Sequence, residues 1–111
     1  MGNPLRSAIT TSISRDEPFF AGHFPGNPLV PGVVILEYVV EAVAQWCGTD
    51  RSPQQLQSVK FLGPLRPGEE LTIELELTSG TAVRFKCRAG DRPIAVGAMT
   101  MHPETRRTRD G

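Results

Sequence analysis

The stretch FAGHFPGNPLVPG, Phe20 to Gly32, sets a single histidine, His23, among three prolines and three glycines just ahead of a long apolar run. An imidazole with an ordinary pKa of about 6.5 takes up and returns a proton at neutral pH, which suits general acid/base work, although a lone loop histidine is commonly structural. Pro25 restrains Phe24 to an extended backbone and the flanking glycines admit close approach of a ligand, so this loop holds its side chains in fixed places. Glu37 follows His23 by 14 residues, and Glu41 stands one helical turn beyond it. Set among apolar residues, Glu37 is expected to be desolvated. The like charge of Glu41 acts in the same direction, towards a neutral carboxyl able to donate a proton. Gly32 offers a third component, because its N–H lies at the start of a helix, where unpaired donors and the helix dipole favour negative charge developing on a carbonyl oxygen. A base, an acid and an oxyanion donor arriving from one loop and the helix it opens fit a β-elimination next to a thioester.

The elements that must position these groups are legible from patterning. Pro31 and Gly32 stand where a first helical turn begins, and Val33 to Trp46 run without a breaker until Gly48 provides a stop. Apolar residues occupy almost every side of this helix, which predicts a buried cylinder, and Glu37, Glu41 and Gln45 recur at every fourth position as one polar stripe. Alternation in Ile9 to Ile13 predicts a short first strand, and Gln57 to Leu62 another after the helix. Leu71, Ile73, Leu75 and Leu77 alternate with Thr72, Glu74 and Glu76, while Val83, Phe85 and Cys87 alternate with Arg84, Lys86 and Arg88. A turn at Ser79-Gly80-Thr81, with Gly80 or a neighbour in a left-handed conformation, sets Glu76 opposite Arg84, Glu74 opposite Lys86 and Leu75 opposite Phe85. Ile94 to Met101 completes the series after a turn at Gly90 to Pro93. The expected fold class is α+β, with one antiparallel sheet wrapped around one long central helix. A sheet of this size cannot cover a helix that is apolar all round, so a dimer is expected.

Composition narrows the rest. The 111 residues, 39% of them hydrophobic, suffice for one domain with one core, expected over residues 1–102. The polar segment 103–111 is expected to be a mobile tail. Twelve basic and twelve acidic residues leave no net charge, which removes the long-range electrostatic argument for nucleic acid or an anionic membrane. The run from Val33 to Val40 is interrupted by Glu37, and no basic-then-apolar leader stands at the N-terminus, so neither membrane anchoring nor export is expected and the reading is cytoplasmic. Two cysteines, Cys47 and Cys87, are too few for a disulfide framework and are read as buried thiols; no His/Cys cluster has metal-site spacing.

Gly22-His23-Phe24-Pro25, then Pro28, Pro31-Gly32-Val33 and Glu37, resembles the signature of hot-dog-fold 3-hydroxyacyl-[acyl-carrier-protein] dehydratases, including the spacing from histidine to acid. Val59 to Glu69, VKFLGPLRPGE, resembles the family's strand and Pro-Gly turn after the helix, so the likeness runs from about Ile9 to Met101. In size the chain is similar to the compact dehydratases of aryl-polyene and related specialised lipid clusters.

The resemblance implies that His23 removes the α-proton of a (3R)-3-hydroxyacyl thioester and that Glu37, from the other subunit, helps expel the β-hydroxyl as water. Gly32 N–H would hold the thioester oxygen, and Phe20, Phe24 and Val33 would border the substrate tunnel, although plain core packing accounts equally well for each of the three singly. It implies no metal or organic cofactor, a substrate carried by acyl carrier protein or coenzyme A, and a homodimer, a larger assembly of dimers or a heterodimer with a paralogue. Lys60 and Arg66 are candidate carrier-docking residues. Fatty-acid members usually carry glutamine where this chain has Glu41, which leaves a hydrogen bond to Glu37 or a shared proton as alternative roles. A thioesterase on the same fold, and a non-catalytic subunit that binds carrier protein, are the competing readings.

Overall fold

The computed structural model describes residues 5–14, 29–48 and 53–101. Its elements run β1 (Arg6–Ser12), α1 (Gly32–Cys47), β2 (Pro53–Phe61), β3 (Glu70–Leu77), β4 (Ala82–Ala89) and β5 (Arg92–Met101). All strand pairings are antiparallel, in the order β1-β3-β4-β5-β2. The fold class expected from patterning is the one found. The segment 103–111 read as a mobile tail lies outside the described residues.

Alternation decides which face of the sheet meets the helix. Leu71, Ile73 and Leu75 of β3, Val83, Phe85 and Cys87 of β4, and Ala95, Met99 and Met101 of β5 are buried together with Ile35, Val39, Ala42 and Val43 of α1. Withdrawing each large aliphatic side chain from water contributes roughly 1.5–3 kcal/mol. On the opposite face the β3–β4 hairpin pairs Glu76 with Arg84, Glu74 with Lys86 and Thr72 with Arg88, in the register expected from the charges. The ion pairs there, Arg6–Glu76 at 3.5 Å and Arg88–Glu74 at 3.1 Å, are solvent-exposed. Each is worth about 0–1 kcal/mol, so they specify register more than they stabilise.

Three details differ from expectation. Gly80, one of the candidates for a left-handed residue in the β3–β4 turn, is not among the left-handed glycines of the described residues, which are Gly48, Gly68 and Gly90; the turn is closed by Thr78 N–H and Oγ1, both donating to the Ala82 carbonyl at 2.9 and 3.3 Å. β2 begins at Pro53 rather than Gln57, and its pairing with β5 slips between Pro53 and Gln55 and again between Leu56 and Ser58. Each slip inserts a residue that breaks the two-residue period. Cys47 is half-buried rather than buried, with its thiol donating to Met101 Sδ at 3.6 Å; neither cysteine forms a disulfide.

A close approach holds β2 in place. Gly97 of β5 lies opposite Val59 of β2 and Phe85 of β4. A β-carbon there would meet the Ser58 carbonyl oxygen and the Phe85 ring, so only glycine lets the strands and the aromatic ring come together.

Candidate active site

Helix α1 opens without a side-chain cap. Pro31 occupies the N-cap with φ −62° and ψ 147°, and its carbonyl accepts from Val34 N–H at 3.0 Å and Ile35 N–H at 3.2 Å. The N–H groups that open a helix precede the reach of its own carbonyls, and Gly32 N–H donates to no other group of the described residues. The segment leading into the helix is tied down by Val30 N–H donating to the Leu65 carbonyl at 2.8 Å, so the loop after β2 fixes where the helix starts. Gly48, at φ 89°, ends the helix as expected, its N–H donating to the Ala44 carbonyl at 2.9 Å.

Val33, Glu37, Val40, Glu41, Ala44 and Gln45 fall on one side of α1, at the three- and four-residue spacings that align a helix face. Glu37, Val40, Glu41, Ala44 and Gln45 line a shallow depression of about 420 Å³. Glu37, Glu41 and Gln45 are exposed, as are Val33 at 64% and Val40 at 39%. The polar stripe is therefore present, but the helix is not buried all round in the single chain. The described residues leave one flank open, and they do not supply the desolvation expected at Glu37. Glu41 also borders a second cleft of about 230 Å³, between β1, α1 and β3, lined by Ile9, Thr11, Tyr38, Ala42, Gln45 and Ile73. It stands between two recesses.

Gly32, Val33, Glu37 and Glu41 are brought onto one helix, with Gly32 and Glu37 separated by about 7.5 Å of axial rise. His23, Phe20 and Phe24 lie outside the described residues. Lys60 is exposed on β2, and Arg66 is exposed in the turn after it. Arg66 N–H donates to Glu69 Oε1 at 2.8 Å, and Arg92 reaches the same oxygen at 2.8 Å and the Pro64 carbonyl at 3.0 Å. The Arg92 hydrogen bond, reinforced by that from Arg66, holds the Glu69 carboxyl below the ordinary range. This braced turn orients the Leu65 carbonyl that anchors the start of the helix. Among the described residues no three His, Cys, Asp or Glu side chains gather as metal ligands, and no helix is long and apolar enough to cross a membrane.

One neighbour of Gly32 is not announced by sequence. Phe61, the last residue of β2, places its ring against the Gly32 backbone: Cζ lies 2.7 Å, and Cε1 and Cε2 3.0 Å, from where a β-carbon on Gly32 would stand. The two residues are far apart in the chain, and a single aromatic at a strand end carries no local signal of what it will cover.

Comparison with known proteins identifies the family. The profile of the ApeI-like family, described as ApeI dehydratase, matches residues 4–98. The chain is 35% identical over 102 residues to 3-hydroxyacyl-[acyl-carrier-protein] dehydratase FabZ of Chlamydia trachomatis serovar L2, covering 80% of this chain and 67% of that protein. It is 34% identical over 110 residues to the FabZ of Albidiferax ferrireducens, covering 87% and 72%. Among solved structures, the dehydratase heterocomplex ApeI:P from Xenorhabdus doucetiae superposes with a TM-score of 0.75 at 25% identity over 86% of each chain. With the sheet, the central helix and the dehydratase relatives in agreement, the chain belongs to the ApeI-like dehydratase family, hydro-lyases of the hot-dog fold.

Proposed function

We propose that the protein dehydrates (3R)-3-hydroxyacyl thioesters, carried on acyl carrier protein, to trans-2-enoyl thioesters, at a site shared between two subunits. The observation that carries this reading is the start and open face of α1. Among the described residues Gly32 N–H, at the helix start, donates to no other group, and Glu37 lies farther along an exposed flank that also carries Val33 and Val40. His23 of one subunit takes the α-proton as the electron pair moves towards the carbonyl, and Gly32 N–H donates to the oxygen as it gains enolate character. Glu37, from the second subunit, gives a proton to the β-hydroxyl, which leaves as water while the enolate pair forms the new double bond. The proton on His23 returns to Glu37 for the next turnover, so one water is lost per cycle.

Subunit association is supported by apolar surface the single chain leaves open: Val33 and Val40 on the helix flank and Leu56 on the edge strand β2. A partner seated there supplies the missing desolvation of Glu37. The partner is a second copy or a paralogue; a heterocomplex is the form of the ApeI:P relative. The carrier-protein substrate rests on the names of the FabZ relatives.

Incubation with a 3-hydroxyacyl thioester, followed in parallel for enoyl absorbance and free thiol, tests the reaction. Enoyl absorbance without thiol is the expected result. Thiol without enoyl product identifies a thioesterase, and neither product identifies a non-catalytic subunit; both overturn the proposal.

A further inference from the structure

We infer that Phe61 determines how much substitution the enzyme accepts at the substrate's α-carbon, an inference that rests on Gly32 N–H holding the thioester oxygen. The ring's Cζ lies 2.7 Å from the position of a Gly32 β-carbon, and that position is about 2.5 Å from the Gly32 nitrogen by covalent geometry. The ring edge is therefore within roughly 5 Å of the donor nitrogen. An oxygen accepting this N–H sits about 2.9 Å from the nitrogen, with the carbonyl carbon one bond further and the α-carbon attached to it. Carbon atoms in contact are about 3.5–4.0 Å apart. The ring thus borders the space that the first acyl carbons of a thioester held by Gly32 must occupy.

Phe61 is not consumed in filling the core. It lies on the helix-bearing face of β2, opposite the small, buried Ala95, yet 47% of its surface remains exposed. The ring lies against the Gly32 backbone and its cross-strand partner is alanine, so it stands as a wall rather than a plug. Gly32 itself cannot carry a methyl group without displacing the ring. A methyl branch on the substrate's α-carbon competes for room beside that same ring, so the wild-type site selects unbranched 3-hydroxyacyl thioesters.

The test compares kcat/KM for an unbranched 3-hydroxyacyl pantetheine thioester and its 2-methyl analogue in wild type, Phe61→Leu and Phe61→Ala, with circular dichroism confirming the fold. The expected result is a branched-to-unbranched ratio that rises by about tenfold or more in Phe61→Ala, the lower end of what one methyl group is worth in an apolar pocket, with Phe61→Leu between. An unchanged ratio in folded variants, including an equal loss on both substrates, overturns the inference while wild-type turnover of the unbranched substrate leaves dehydration standing. If wild type turns over neither thioester, the dehydratase reading fails and this inference with it. Should Phe61→Ala not fold, the ratio in Phe61→Leu decides alone.

Discussion

At the scale of single residues, the two thiols show how surroundings decide chemistry. Cys87 is fully buried between the sheet and the helix, and burial pushes its thiol up from 9.0 to about 12. A group whose folded pKa is raised contributes stability that is fully present below its unfolded pKa and is lost as pH rises through the folded value. That window opens near pH 9.0 and extends to about 12, so Cys87 is inert at neutral pH. Iodoacetamide at pH 8 is expected to alkylate the half-buried Cys47 in the native protein and Cys87 only after denaturation; mass spectrometry that finds Cys87 labelled in the native state contradicts the packing described here. The proposed acid and base stand out in the sequence for a different reason. His23 and Glu37 stood out because their neighbours restrict the backbone or are uniformly apolar, which makes a polar group conspicuous. Phe61 did not, because an aromatic residue among other apolar ones becomes notable only once the fold lays it on Gly32.

At the scale of elements, legibility followed regular period. The β3–β4 hairpin was readable to the residue because opposite charges alternate with aliphatic side chains on both strands, and a shift by one would bury them. β2 was readable only in its second half, since its two register slips against β5 destroy alternation where the strand begins. Within the turn, Gly80 is not the left-handed residue; Thr78 closes the loop with two hydrogen bonds to the Ala82 carbonyl, a role that a threonine at a strand end does not announce. The contact that seats β2 gives a prediction of its own. Gly97→Ala drives a methyl group into the Ser58 carbonyl and the Phe85 ring, and is expected to destabilise the fold by about 1–3 kcal/mol, as overpacking does. Adding Phe85→Leu should recover only the part due to the ring, because the carbonyl clash persists. Denaturant melts of the two variants measure this, and a Gly97→Ala protein as stable as wild type would remove the account of how β2 is held.

At the scale of the molecule, the helix is the element that one chain leaves unfinished. One flank buries Ile35, Val39, Ala42 and Val43 in the core, while the other shows Val33 and Val40 beside Glu37. Sequence patterning reads this as a helix buried all round, and the difference between that pattern and the single chain is the surface that the proposed second subunit would cover. Val40→Lys is expected to shift sedimentation from dimer towards monomer and to lower turnover in parallel; a monomer that keeps full activity would show that no subunit interface is needed. The central claim, that His23 and Glu37 act across that interface, is tested most directly by mixing two inactive variants, His23→Ala and Glu37→Gln, under conditions that exchange subunits. Each mixed dimer then contains one intact site and one doubly altered site, and random exchange makes half of all dimers mixed, so dehydration should return to about a quarter of the wild-type rate. Activity that stays at the level of the separate variants, in a mixture whose subunits have demonstrably exchanged, would contradict a shared site.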